Sequence, residues 1–279
     1  MARRAPVKSK EFFPDVFSRH AAAYQHRLED IMARGEARGR TRVIELAAAR
    51  PGMRILDLAC GPGTLSRRLA TGVAPGGEVV GVDLAAGMIE LARAAEIPNA
   101  HFEIMDIERL GFAEATFDAA VCGHGLQFAA DLRRALGEAR RVLKSGAVLA
   151  ASMPVSTTRE AAWNLLYTVV DRWLPPRTDV VDQAHTRAIV GDPELLGAAA
   201  LDAGFASASV EVIEEDVEWE SAEQLVSMFM GWWDCASRLD AVASDRRDAM
   251  KQDAIATLKR EHPGKISTTG RNHVLDARK

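Results

Sequence analysis

The sequence lacks most of the features that would tie a chain to a membrane, a disulfide scaffold or a nucleic acid. Its 279 residues hold three cysteines, Cys60, Cys122 and Cys235, far apart, with no C-x-x-C pair and no histidine at metal-ligand spacing. Disulfides and a metal site are therefore not expected. No uncharged apolar run approaches the roughly 18–20 residues that a bilayer span requires. The basic start, Met1 to Lys8, is followed by charge and proline where a signal peptide needs an apolar stretch, so a reduced, cytoplasmic protein is expected. An excess of one charge is missing too. Thirty-five Lys plus Arg stand against 39 Asp plus Glu, a formal charge of -4, and no global field draws the chain to nucleic acid or anionic lipid. Lys265, Arg271, Arg278 and Lys279 are spread along one segment without the interleaved aromatics that stack on bases.

What is abundant is the mixture of a folded protein: 48% apolar and 27% charged residues, enough for one large or two small domains. Residues from Glu11 to about Arg50 read as two or three helices, rich in Ala, Arg, Glu and Leu. From Met53 the pattern changes. Short apolar runs at Arg54–Leu58, Glu78–Asp83, Phe117–Cys122 and Ala147–Ala151 alternate with amphipathic stretches, which predicts βαβ units and a parallel sheet covered on both faces. A helix from Arg159 to about Leu174 is stopped by Pro175-Pro176. Asp192-Pro193 pairs an N-cap residue with a proline at the first helical position. Strands are expected at about Ala208–Ile213 and within Ile266–Ala277, paired around a helical excursion that Ser221 opens and that breaks near Ser244. The domain reading is a helical cap over residues 1–50 and an α/β domain over 51–279, with helical insertions at about 154–191 and 214–264.

The sharpest signal is Ile55-Leu56-Asp57-Leu58-Ala59-Cys60-Gly61-Pro62-Gly63-Thr64-Leu65, an apolar strand ending in a Gly-x-Gly turn that enters a helix. Gly61 and Gly63 lack a Cβ, so the backbone can turn tightly and approach a ligand at the helix N-terminus. Asp83 ends the next strand, where a carboxylate accepts ribose hydroxyls. A dinucleotide site wants a third glycine where Ser66 stands, and Asp57 would repel a pyrophosphate. The same Asp57 suits a ligand with an amino group and a sulfonium. The residues thus favour S-adenosylmethionine over NAD or NADP.

This segment resembles the class I S-adenosylmethionine-dependent methyltransferases, and more narrowly the methyltransferase type 11 group that includes the ubiquinone and menaquinone C-methyltransferases. The resemblance implies a Rossmann-like, doubly wound sheet of seven strands with the last antiparallel. It places Asp57, Ala59, Gly61 and Gly63 in the glycine-rich first motif, Asp83 on the ribose, and Asp106 and Ile107 at the adenine amino group and ring, while Leu84 and Met88 are read either as flanking the adenine or as core packing. Gly123-His124-Gly125-Leu126-Gln127 resembles the loop beneath the methionine moiety, with Gly123 and Gln127 as contacts. Arg140 to Gly146 resembles the family's R-V-L-K-P-G-G turn, with Ser145-Gly146-Ala147 in place of Pro-Gly-Gly. Phe12 to Tyr24 resembles an N-terminal segment whose tyrosine closes over the cofactor. Tyr24 is thus read either as a ligand contact or as helix packing.

His124 has two readings as well: a general base in the titration range of an ordinary imidazole, or a structural histidine. His20, His185, His262 and His273 are read as surface residues. Trp163, Tyr167, Trp173, Phe229, Trp232 and Trp233 gather in the two insertions, where they either pack those helices or line an apolar acceptor pocket. Arg34, Arg38 and Arg42 at i, i+4, i+8 read as a solvated stripe. The function expected is methyl transfer from S-adenosylmethionine to a hydrophobic, cyclic small-molecule acceptor by a monomer or homodimer, without nucleic acid or membrane span. The alternatives are an NAD(P)-dependent oxidoreductase and a non-methylating protein that retains S-adenosylmethionine.

Overall fold

Short, nearly continuous apolar runs alternating with amphipathic stretches predict a sheet buried on both faces, and the computed structural model, which describes residues 7–155 and 161–279, has that arrangement. Three helices come first, α1 (Ser9–Arg19), α2 (Ala21–Ala33) and α3 (Arg38–Ala47). Then follow β1 (Arg54–Leu58), α4 (Thr64–Val73), β2 (Glu78–Asp83), α5 (Ala86–Ala94), β3 (Ala100–Ile104), β4 (Phe117–Gly123), α6 (Leu132–Val142) and β5 (Leu143–Val155). After β5 come α7 (Ala161–Trp173), α8 (Ala184–Val190), α9 (Pro193–Asp202), β6 (Ser207–Trp219), α10 (Ala222–Met230), α11 (Trp233–Leu239), α12 (Ser244–Glu261) and β7 (Ile266–Arg278). Arg159, where a helix start is expected from the sequence, lies outside the described residues.

The seven strands form one sheet in the order β3-β2-β1-β4-β5-β7-β6. β7 is antiparallel to both β5 and β6, and the β1–β5 pairs are parallel. The order reverses at β1, with its neighbours β2 and β4 on either side. That is where an open α/β sheet leaves a crevice beyond its strand ends.

Strand period two divides the core. Leu56, Leu58, Val80, Val82, Ala120 and Leu149 face α6 and α9, while Ile55, Val79, Ala119, Val121 and Ala150 face α3, α4 and α5. β6 and β7 run as a long ribbon from Ser207↔Arg278 to Trp219↔Ile266, so the sixth strand extends past Ile213 to Trp219. The sequence hides that extension because residues 214–218 are mostly acidic, on a ribbon with solvent on one face. β3 (Ala100–Ile104) has an exposed, mixed pattern that carries no apolar run. A third apolar cluster joins α7, α10, α11 and α12 around Leu166, Val170, Leu225, Phe229 and Leu258, so the two helical insertions pack on each other.

Local signals fix the helix ends. Asp192 accepts from the Glu194 and Leu195 N–H groups, and Ser221 accepts from Gln224 N–H. Among the described residues no helix is long and apolar enough to cross a membrane. Arg34 belongs to the end of α2, paired with Asp30 and Glu36, while Arg42 on α3 pairs with Glu45 and Glu211. They do not form one stripe on a single helix. Contrary to its reading as a surface residue, His273 is 3% exposed on β7, its Nδ1 2.8 Å from the Val190 carbonyl. Truncating Phe117, fully buried in β4, to alanine is expected to cost about 3–5 kcal/mol, whereas Asp192→Ala should cost about 1 kcal/mol. Urea titration of the two variants tests the difference.

Candidate active site

The crevice beyond β1, β2 and β4 holds a partly open cavity. Its wall includes Tyr24, Ala59, Gly61, Asp83, Leu84, Met88, Asp106, Ile107, Gly123 and His124. Asp57, Gly63 and Gln127 are not on that wall. They stand behind it, and each holds a piece of it in place.

Asp57 shares the parity of Ile55 and therefore faces α4, 1% exposed. Ser66 Oγ donates to its Oδ2 at 2.6 Å. Burial, and secondarily the neighbouring charge of Asp83, pushes the Asp57 carboxyl up to about 7, against the opposing hydrogen bond from Ser66. Ser66, which in sequence is only an absent glycine, is the partner that clasps the glycine turn to β1. Gly63 has φ +80°, and a Cβ there would stand 3.1 Å from Phe102 Cζ, so its glycine serves the fit of the turn over β3. Gln127 Nε2 donates to the His124 carbonyl at 2.8 Å and braces the loop after β4.

Asp83 ties the two halves of the cradle. Its Oδ2 accepts from Gly61 N–H at 3.0 Å and its Oδ1 from Ala85 N–H at 2.8 Å. Burial raises its pKa, and these N–H donors oppose the rise. The rim is closed by α1. Lys10 Nζ lies 2.7 Å from Asp106 and 2.6 Å from Glu108, while Ser9 bonds to Asp182. Phe13, Phe17 and Phe128 supply the aromatic wall, with Phe13 and Phe128 centroids 4.6 Å apart. The Phe12–Phe17 segment is visible in sequence, whereas Lys10 and Phe128 carry no local signal.

Trp163, Tyr167, Phe229 and Trp232 do not line this cavity. They stack on one another within the helical insertions, Trp163 and Trp232 at 4.6 Å, and Trp173 Nε1 donates to Asp253. Trp233 packs on Phe12 and Phe13. All three cysteines are free and buried, and burial pushes the Cys122 and Cys235 thiols up to about 12, so none is a reactive thiolate.

His124 is on the wall in a left-handed conformation, φ +65°. Ala59, also on the wall, has φ +52°. Non-glycine residues held there store strain of about 1–3 kcal/mol each. Burial first, then the charge of Arg40, drives the His124 pKa well below that of an ordinary imidazole, with Asn272 opposing. The expectation of ordinary titration is therefore corrected: His124 is a neutral imidazole, and a weak base.

Residues 55–146 match the methyltransferase domain family. The chain is 38% identical over 138 residues to a 2-phytyl-1,4-naphtoquinone methyltransferase of Trichormus variabilis, covering 47% of this chain and 60% of that protein. It is 31% identical over 161 residues to a demethylmenaquinone methyltransferase of Symbiobacterium thermophilum, covering 54% and 64%. The chain thus spans less than two thirds of the length of these curated relatives. In fold it is similar to the YcgJ protein of Bacillus subtilis, with a TM-score of 0.55 at 18% identity over 87% of this chain and 98% of that one.

The buried Asp57 makes a pH prediction. Its folded pKa of about 7 lies above the ordinary 3.8. Between those values the folded protein holds a proton that the unfolded chain has released, so stability falls as pH rises through the window and is lowest above about 7. Asp57→Asn, which keeps an acceptor for Ser66, is expected to raise Tm relative to wild type at pH 8, by up to a few kcal/mol of stability, and to leave it unchanged near pH 4. Thermal melts at both pH values read this.

Proposed function

We propose that this protein, whose residues 55–146 match the methyltransferase domain family, transfers a methyl group from S-adenosylmethionine to an apolar, cyclic small-molecule acceptor. The observation that carries the reading is the cradle at the ends of β1 and β2. Two carboxylates, the buried Asp57 and the half-buried Asp83, adjoin a glycine turn whose Gly61 N–H is already spent on Asp83. A pyrophosphate would meet negative charge and one fewer free N–H there, whereas a cationic nucleoside meets complementary charge.

The residues present fit that ligand. Gly61 has φ +54° and faces the Tyr24 ring, leaving room where a side chain would project. Each Asp83 oxygen accepts one backbone N–H and retains a lone pair for a ribose hydroxyl. Leu84, Met88 and Ile107 offer apolar walls for a purine, and Asp106 a carboxylate at its edge. When bound, the sulfonium supplies a methyl carbon whose C–S bond breaks as an acceptor lone pair attacks, leaving a neutral thioether. The protein's share is orientation and exclusion of water, which can supply about 7–11 kcal/mol. Phe13, Phe17 and Phe128 cover the cavity, and the Lys10 bridge to Asp106 and Glu108 holds α1 over it.

The similarity to naphthoquinone and menaquinone methyltransferases supports a ring acceptor. The aromatic wall supplied by α1 and the loop after β4 is its place in this chain. Titration calorimetry with S-adenosylmethionine and S-adenosylhomocysteine, with NAD and NADP as controls, is expected to give binding of the first pair only. Asp83→Ala should weaken that binding about ten- to a hundredfold, the loss of one or two charge-assisted bonds. Binding of NAD instead, or an Asp83→Ala variant with unchanged affinity, would contradict the assignment.

A further inference from the structure

Asp106, the carboxylate at the edge of the apolar wall formed by Leu84, Met88 and Ile107, does not stand alone there. Lys10, in the first turn of α1, lies on the same wall, its Nζ 2.7 Å from Asp106 Oδ2 and 2.6 Å from Glu108 Oε2. The two carboxylates differ in kind. The Glu108 side chain is only 5% exposed, and its Oε1 accepts from the Ala130 and Asp131 N–H groups at 2.7 and 3.1 Å. It is a fixed anchor whose other oxygen needs a cation. The Asp106 side chain is 26% exposed; its Oδ1 accepts from Glu108 N–H at 2.9 Å and its Oδ2 from Lys10. Each of its oxygens accepts one donor and keeps a lone pair.

The ammonium is held there from outside the cavity. Val7 N–H donates to the Asp179 carbonyl at 3.0 Å, and the Val7 carbonyl accepts from Val181 N–H at 3.1 Å. Ser9 N–H and Oγ donate to the two oxygens of Asp182 at 2.8 and 3.0 Å. These bonds seat the start of α1 on the segment before α8, so Lys10 reaches the wall from a pinned turn and not from a free end. An ammonium has three protons. Asp106 and Glu108 take two of them, and among the described residues no third acceptor stands on the remaining one. The edge of the cavity thus presents an acceptor and a donor side by side, 2.7 Å apart.

An acceptor beside a donor matches the edge of two kinds of purine. Adenine carries a donor at position 6, its amino group, and an acceptor at N1; a 6-oxopurine carries an acceptor, O6, and a donor, N1–H. A carboxylate alone would meet O6 with like charge and leave it unpaired, which makes such a site reject the oxo base. We propose that Lys10 is a specificity-determining residue at this edge, and that the cavity takes thioether nucleosides of a 6-oxopurine, such as S-inosylhomocysteine, as well as those of adenine. The inference rests on the methyl-transfer reading above, which sets a purine nucleoside in this cavity. With adenine, the amino group donates to Asp106 and Lys10 turns to N1. With the oxo base, Lys10 donates to O6 and N1–H donates to Asp106. The flexible lysine stem lets one ammonium serve both arrangements while Glu108 retains it.

The test is calorimetric titration of wild type, Lys10→Met and Lys10→Gln with two probes, S-adenosylhomocysteine and S-inosylhomocysteine, which differ only in the base. Wild type is expected to bind both, with affinities within about tenfold of each other. Lys10→Met removes the donor for O6 and leaves the acceptor for the amino group. It should therefore weaken S-inosylhomocysteine about ten- to a hundredfold and S-adenosylhomocysteine less than about fivefold. Lys10→Gln, with a shorter and neutral head, should move the ratio of the two affinities in the same direction, and it serves if the methionine variant does not fold. A residue that only ties α1 down would weaken both probes equally and leave their ratio unchanged. That result overturns the inference, as does a wild type that binds S-inosylhomocysteine more than about tenfold more weakly than S-adenosylhomocysteine; either leaves the methyl-transfer reading intact. A wild type that binds neither probe overturns both.

Discussion

Two carboxylates withdrawn from water at the ends of adjacent parallel strands set the terms for everything around them. Asp57 is clasped by Ser66 of α4 and Asp83 by the N–H groups of Gly61 and Ala85. Those bonds make the glycine turn, the start of α4 and the exit of β2 one piece. Withdrawing a carboxylate costs free energy unless it is paired, and both have raised pKa values in consequence. The cradle is thus built for a ligand that brings positive charge, and its cost in the ligand-free protein is the source of its selectivity.

The rest of the site is arranged against that acidic end. α1 brings Lys10 to the Asp106–Glu108 edge and three aromatic rings meet over the cavity, while α3 places the Arg40 guanidinium against the Tyr24 hydroxyl. The seven-stranded order explains how such distant segments converge. With the strand order reversing at β1, the loops after β1, β2 and β4 all open into one crevice, and the N-terminal helices lie across it. The helical insertions contribute less directly, since Trp163 and Trp232 stack on each other and only Trp233 reaches α1, at Phe12 and Phe13.

Much of this was legible along the chain. Ile55 to Leu65 shows strand, glycine turn and helix in eleven successive residues, because backbone conformations that need glycine leave a mark in sequence. Asp192-Pro193 and Ser221 mark their helix starts for the same reason: capping is local. Contacts between distant segments were not legible. Arg40 lies two residues from Arg38 and Arg42, and only the packing of α3 on β4, β5 and β7 separates the inward arginine from the outward ones. Ser66 looked like a lost glycine until β1 parity put Asp57 opposite it. His124 illustrates a further gap, since its position on a loop was visible but its burial beside a guanidinium was not.

The central claim is that buried acid in this cradle selects a cationic nucleoside, and the most direct measurement is the proton count on binding. Calorimetric titration with S-adenosylmethionine near pH 6.5, in two buffers of different ionisation enthalpy, reads that count. With the free Asp57 carboxyl at about 7, the sulfonium should favour its ionised form and binding should release protons to the buffer. Binding that releases none, or takes protons up, would contradict the account.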